Sequence, residues 1–381
     1  MLDPMEDHIP LYRPFLAGNE KKYVNDCLDS TWISSRGHFI EQFESAFCQY
    51  TGLEAACSVS NGTVAIHVAL AALGIGPGDE VLVSGLTYVA SVNPILQVGA
   101  VPVYVDIDPE SWQLDPVDLQ RKLTPRSRCL IVVHLYGAAA PMPAIAAICR
   151  DRNILIIEDC AEAIGTQVDG QHVGALSDLA TFSFYGNKTL TTGEGGMVAS
   201  NNSTLIDNVT YLKQQAVDPE REYWHSSLGF NYRMTNICAA IGLAQLENIS
   251  AVLDRKRVIA QRYAEQLRSL PLMVHAEVAN TVHSFWLVGI LLHDASHRDS
   301  LRRFLADQGI ETRPFFYPVN TLPHLINGQH LPVAENIAQR GVCLPSFPGL
   351  EDMQQSRVIQ AITAYFIEKA EAEASNKRAA Y

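Results

Sequence analysis

Between residues 36 and 200, segments with helical spacing take turns with short apolar runs. A helical Phe39 to Tyr50 precedes a strand at 56–59, and a helix at 63–73 precedes a strand from Glu80 to Val83. A helix at 89–97 precedes Val101 to Val105, one at 116–122 precedes Cys129 to His134, and one at 141–150 precedes 154–158. Alternation of this kind predicts a largely parallel central sheet covered by helices on both faces, an α/β fold. Ile154 to Ile157 is apolar at every position, as in a strand buried on both sides, and it ends on two acids, Glu158 and Asp159. Ligands of open α/β sheets sit beyond the carboxyl ends of the strands, so Asp159 stands where a carboxylate meets a ligand. The competing reading of Asp159 is a helix N-cap.

The next strand-like run, Leu179 to Phe184, breaks at Gly186 and offers one lysine, Lys188, before glycines at 193, 195 and 196. Ser183, Thr189, Thr191 and Thr192 crowd that lysine with hydroxyls. Burial lowers an amine's pKa and makes it a nucleophile toward aldehydes; the alternative is a surface turn that contains a lysine. Upstream, Cys57 to Leu73 passes from a short strand through Asn-Gly-Thr into an Ala/Val/Leu helix. Gly62 and Thr63 would then lie at a helix N-terminus, where free N–H groups and the dipole favour an anion such as phosphate. A lysine for a Schiff base, an acid for a pyridinium nitrogen and a phosphate cradle are together the parts of a pyridoxal 5′-phosphate site.

These segments resemble the DegT/StrS-type nucleotide-sugar aminotransferases, which belong to the fold-type I pyridoxal phosphate enzymes. The resemblance runs through Leu28 to Ser35, Val59 to Val64, Leu86 to Ser91, Val133 to Gly137, Glu158 to Ala163, Phe182 to Gly196, Gly229 to Asn236 and Glu311 to Pro318, in the family's order along nearly the whole chain. It implies Lys188 as the Schiff-base lysine and Asp159 as the pyridinium partner. Tyr88 becomes the aromatic stacked on the cofactor ring, and Gly62, Thr63 and Ser183 the phosphate cradle. Asn231 reaches the phosphate of the other subunit, which implies a homodimer with shared sites. Glu162 stands where many relatives carry glutamine beside the cofactor's phenolic oxygen, and Asn187 and Glu194 lie just outside it.

The same resemblance implies L-glutamate as amino donor and C4 of a nucleotide-linked 4-keto-6-deoxyhexose as acceptor, with O-antigen biosynthesis as the setting. Glu162 and the runs Ser30 to Ser35, Gly186 to Thr189 and Thr312 to Pro314 favour the branch that acts on GDP-4-keto-6-deoxymannose; dTDP- and UDP-ketosugars remain alternatives. Trp32, Arg233, Arg313, Tyr317 and His324 become candidate substrate contacts, with core packing the competing reading of Trp32 and a domain interface that of the arginines. Two features depart from the family. Ala138 to Pro141 fills a stretch that often holds an acid, and Asn320 stands where the branch tends to have histidine. A dehydratase on the same fold carries histidine in place of the lysine, which Lys188 argues against. A non-catalytic scaffold would need neither Lys188 nor Asp159.

Charge narrows the partners. The chain of 381 residues carries 28 basic and 41 acidic side chains, a formal net charge of −13. That disfavours nucleic acid or an anionic membrane surface as the main partner, so an anionic substrate requires a local basic pocket. None of the eight cysteines shows C-x-x-C spacing, no secretory signal or transmembrane-length apolar run is evident, and the thiols read as reduced and cytoplasmic. His293-Asp-Ala-Ser-His297 has the spacing of a zinc helix but falls where a loop is due, so no metal is expected.

The remaining organisation follows from punctuation. Pro4, Pro10 and Pro14 make residues 1–35 an arm with one short helix, Asn19 to Asp29. Thr235 caps a helix running to Leu270, bent at Asn248 to Ser250, and a boundary near residue 250 separates a large cofactor domain, 1–250, from a small one, 251–381. The small domain is expected to hold a strand at 284–292, helices at 298–308 and 351–371, a proline-rich loop at 313–323 and a frayed tail from Ala372.

Overall fold

The computed structural model describes residues 8–379; Pro4 and the last two residues of the tail lie outside them. Seven strands form the large sheet, in the spatial order Ala55–Val59, Gly196–Ser200, Leu179–Ser183, Leu155–Asp159, Ser127–Val133, Glu80–Ser84 and Val101–Val105. The last five are mutually parallel, as the alternation predicts. Gly196–Ser200 is antiparallel to both of its neighbours. The reason is the short return at Gly193, whose φ of 80° turns the chain back on Leu179–Ser183 without a crossover helix.

Several helices differ from their sequence expectation. The run at 89–97 is a 3₁₀ turn, Val89–Ser91, followed by a short helix, Asn93–Gln97, because Pro94 supplies no N–H for a continuous ladder. The helix capped by the Thr235 hydroxyl bends where expected, ending at Glu247 and restarting at Ile249 with a 62° angle between the two halves. The helix Ser203–Lys213 and the short three-stranded sheet of 167–168, 171–172 and 281–282 have no counterpart among the elements expected from sequence. The last helix, Asp352–Ala379, continues through most of the expected tail.

A four-stranded antiparallel sheet, ordered Leu272–Val274, Val288–Leu292, Gly341–Leu344 and Arg313–Pro314, occupies the C-terminal part with helices His297–Asp307 and Pro332–Arg340. Only Val288–Leu292 of the run expected at 284–292 is strand. The N-terminal arm docks here: Ile9 N donates to Gly309 O and Leu11 N to Glu311 Oε2. Among the described residues, no single helix is long and apolar enough to cross a membrane. His293 precedes the helix that His297 opens, so the two do not form the face of a zinc helix.

The core places the candidate lysine. Phe182 and Phe184 pack against Phe43 and Phe47 of the helix His38–Thr51, with ring centroids 4.8 Å apart for Phe47–Phe182 and 5.3 Å for Phe43–Phe184. Burying each of these rings contributes roughly 2–3 kcal/mol. Strand alternation then turns Ser183 to the opposite face, toward the helix Gly62–Ala72.

Candidate active site

At the carboxyl ends of the parallel strands lies a cavity of about 540 Å³. Its walls include Gly62, Thr63, Tyr88, Asp159, Glu162, Ser183, Asn187, Lys188 and Glu194. Every cofactor contact expected from the sequence, apart from the one assigned to a second subunit, is therefore brought to one place.

The lysine sits in a closed loop. Phe184 N donates to Gly195 O and Thr192 N to Phe184 O, pinning both ends, while Lys188 N donates to Tyr185 O. Lys188 Nζ lies 3.5 Å from Glu162 Oε1 and 3.8 Å from the centroid of the Trp286 ring. Trp286 Nε1 donates to Asn187 O at 2.7 Å, and the Tyr12 hydroxyl donates to Lys188 O at 2.7 Å. Glu162 is held from behind by Tyr136 N, which donates to Oε2 at 2.8 Å. Burial pushes the Glu162 carboxyl up to about 7, against the opposing pull of Lys188.

Asp159 ends its strand with both oxygens engaged. Oδ1 accepts from Ala161 N at 3.1 Å and Oδ2 from Ser91 Oγ at 2.7 Å. Thr87 Oγ1 lies 2.9 Å from Ser91 Oγ. One residue earlier, Glu158 is buried in the opposite direction. Burial disfavours its ionised form, but hydrogen bonds from His134 and the Gly174 N–H hold its carboxyl below the usual range. His134 Nδ1 accepts from Ala140 N, so the Nε2–H donates a hydrogen bond to Glu158 and both nitrogens are engaged. His134, Glu158 and Cys160 are near enough together to suggest a metal cluster, but these bonds already use the histidine. The Ala138 to Pro141 departure supplies the N–H that fixes it.

The anion end is built from backbone. Asn61 caps the helix Gly62–Ala72 by accepting from Val64 N, leaving the N–H groups of Gly62 and Thr63 toward the cavity. A Cβ on Gly62 would lie 2.6 Å from Ser183 Cβ, so only glycine allows this approach. The Asn187 Oδ1 is buried without a hydrogen-bond partner. A cradle that excludes a Cβ, a carboxylate anchored at the strand end and an amine across from apolar walls fit a phosphorylated pyridine aldehyde.

An outer cavity of about 900 Å³ adjoins the first and shares Thr87, Tyr88, Tyr185, Asn187, Trp286 and Phe316 with it. Arg313, Tyr317 and His324 line it. Arg313 pairs with Glu311 at 2.9 Å, and His324 Nε2 lies 3.0 Å from Asn93 Oδ1. Asn320 instead gives its amide to Gln329 O and to Glu335 Oε1 of the helix Pro332–Arg340. Trp32, Asn231 and Arg233 line neither cavity. Arg233 reaches Asn231 Oδ1 at 3.2 Å, both exposed, and Trp32 is 54% exposed.

Sequence reasoning missed Ser91, Thr87, Trp286 and Tyr12. Ser91 had a signal, a hydroxyl one turn beyond Tyr88 in a run already singled out; Trp286 and Tyr12 had none.

A sheet with this strand order, carrying a lysine loop and an acid over an anion cradle, defines an aminotransferase-like protein. Residues 14–363 match the model of the DegT/DnrJ/EryC1/StrS aminotransferase family, and the chain belongs to that family. It is 49% identical over 363 residues, covering 95% of this chain and 100% of the relative, to GDP-perosamine synthase of Escherichia coli O157:H7. Among solved structures it is similar to the aminotransferase TlmJ from Streptoalloteichus hindustanus, at 31% identity and a TM-score of 0.90 over 93% of this chain and 98% of that one. It is also similar to the PLP form of the putative sugar aminotransferase Spr1654 from Streptococcus pneumoniae, at 26% identity and a TM-score of 0.91 over 95% and 99%.

Proposed function

We propose that this protein is a pyridoxal 5′-phosphate-dependent aminotransferase that moves an amino group from L-glutamate to C4 of GDP-4-keto-6-deoxymannose, giving GDP-perosamine and 2-oxoglutarate. The observation that carries the reaction class is the presence of Lys188, Asp159 and the Gly62–Thr63–Ser183 cradle in the walls of one cavity. The GDP-sugar is supported by the Escherichia coli relative, similar over its full length.

Gly62, Thr63 and Ser183 would hold the cofactor's phosphate, Tyr88 would supply the aromatic wall for its ring, and Asp159 the carboxylate for its ring nitrogen. When bound, the cofactor supplies an electron sink for the bond changes at the amino-bearing carbon. Lys188, in the wall of the same cavity, would hold the aldehyde, and its amine stands where it would take up and return a proton. Glu162, 3.5 Å from Nζ, holds that amine at the cavity. Arg313, Tyr317 and His324 in the outer cavity meet the nucleotide sugar.

Two copies share their sites, with Asn231 serving the neighbour's cavity; the division near residue 250 separates the cofactor domain from a small domain that closes the outer cavity. The reaction runs in the cytoplasm and supplies sugars for O-antigen assembly.

The test supplies glutamate with GDP-, dTDP- and UDP-linked 4-ketosugars separately and follows 2-oxoglutarate. Turnover of the GDP-sugar is expected. Amination of only a dTDP- or UDP-sugar would replace the substrate and leave the reaction class. No 2-oxoglutarate from any ketosugar, in a chain holding the cofactor on Lys188, would reject the class.

A further inference from the structure

Lys256 lies in the helix Ile249–Leu267 and is fully buried. Its ammonium meets carbonyls, not a carboxylate: Nζ donates to Trp286 O at 3.1 Å and to Ser346 O at 3.0 Å, and stands 5.3 Å from the centroid of the Tyr12 ring. Burial pushes its pKa down to about 7. A methionine would fill such a position with no charge to desolvate, so the lysine has to be explained by what its donors hold.

Two of the three groups it meets, Trp286 and Tyr12, continue directly to Lys188. The Trp286 ring lies against Lys188 Nζ, and its indole N–H is bonded to Asn187 O. The Tyr12 hydroxyl is bonded to Lys188 O. The backbone ahead of Trp286 has no slack of its own. Phe285 takes a φ of 49°, and a Cβ on Gly137 would lie 2.6 Å from Ser284 Oγ and 2.8 Å from Trp286 N. Gly137 therefore passes close to the N–H side of Trp286, and Lys256 holds its carbonyl.

We propose that Lys256 is a positioning residue for Lys188, holding Trp286 and Tyr12 so that the Asn187–Lys188 turn presents its amine to the cofactor cavity. The inference rests on the pyridoxal phosphate reading of that cavity. Lys256 acts through the two aromatic residues and touches neither cofactor nor substrate. Three segments distant in sequence, the arm, the long helix and the 283–288 segment, are thereby set around one catalytic side chain.

The test uses the full chain loaded with pyridoxal 5′-phosphate. Borohydride reduction, digestion and peptide mapping measure the cofactor fixed on Lys188, and total bound phosphate measures the cofactor held by the cradle. Lys256→Met is expected to keep bound phosphate within about twofold while the Lys188 label and kcat fall about tenfold, with the ketosugar KM within about twofold. Tyr12→Phe removes the bond to Lys188 O but keeps the ring beside Lys256, and a smaller loss is expected. The double variant should be no worse than Lys256→Met alone, because the two act on one turn. If Lys256→Met does not fold, Lys256→Leu, which also lacks an N–H donor, takes its place in the same cycle. A variant labelled and turning over like the unchanged chain overturns the positioning role, as do losses that simply multiply. An unchanged chain that takes no label on Lys188 rejects the cofactor reading and this one with it.

Discussion

Ser91 Oγ donates to Asp159 Oδ2 at 2.7 Å, and with Ala161 N on Oδ1 it leaves the carboxylate one orientation at the end of its strand. A hydrogen bond to a charged group is worth about 1.5–3 kcal/mol. Ser91→Ala is therefore expected to weaken cofactor binding by about tenfold or more, read by absorbance titration of the cofactor-free chain. Thr87→Val, one step further from the acid, should cost less. An unchanged affinity in Ser91→Ala would mean that the Ala161 turn alone fixes Asp159.

Glu162 makes a pH prediction with a definite sign. Burial raises its carboxyl from 4.5 to about 7, so between those values the folded, cofactor-free chain holds a proton that the unfolded chain releases. The stability this group contributes is fully present below about pH 4.5 and is lost as the pH rises through about 7. Glu162→Gln is neutral throughout and removes that slope. Followed by urea unfolding, the variant should gain on the unchanged chain between pH 4 and pH 8, by on the order of 3 kcal/mol. A constant difference across the range would place the titration elsewhere.

The parts of the site that could be read from sequence are those whose signal is local. A strand that ends on an acid, a glycine at a helix start and a lysine after a β-run each carry their meaning within a few residues, and Asp159, Gly62 and Lys188 do share one cavity. The supports are different in kind. Tyr12 reaches Lys188 across 176 residues and Trp286 reaches Asn187 across 99, and no spacing rule encodes such pairs. The fold shows the same division. Alternation predicts the five parallel strands, and Asn248 to Ser250 mark the bend of the helix after Thr235, but the reversal of Gly196–Ser200 depends on one left-handed glycine.

Gly62 tests the anion cradle against a propensity that points the other way. Alanine within a helix is favoured over glycine by up to about 1 kcal/mol. Here the added Cβ would lie 2.6 Å from Ser183 Cβ, an approach that neither backbone can relieve without moving. Gly62→Ala is expected to bind pyridoxal phosphate and free phosphate at least about tenfold more weakly, because the N–H groups retreat from the anion. Calorimetric titration of both ligands decides it, and equal affinity would show that the helix start does not hold the phosphate.

Asn231 tests whether the sites are shared. It lies outside both cavities of its own chain, is exposed, and accepts a hydrogen bond from exposed Arg233. Large apolar side chains stand exposed on the segment before it, Tyr223 at 94% and Leu228 at 83%, and such side chains gather at interfaces between chains. In a two-fold dimer the contact is reciprocal, so each Asn231 would serve the cofactor phosphate in the other chain's cavity. Lys188→Ala and Asn231→Ala are each expected to be poorly active alone. In a mixed dimer, one cavity carries both defects and the other neither. Random exchange makes half of the dimers mixed, so activity should recover to about a quarter of the unchanged protein. Co-expression with two different affinity tags isolates the mixed dimer itself, whose activity should be about half. Sedimentation must first show the dimer at assay concentration. A mixed dimer no more active than its two parents would place Asn231 outside the neighbour's site, and a fully active monomer would exclude shared sites altogether.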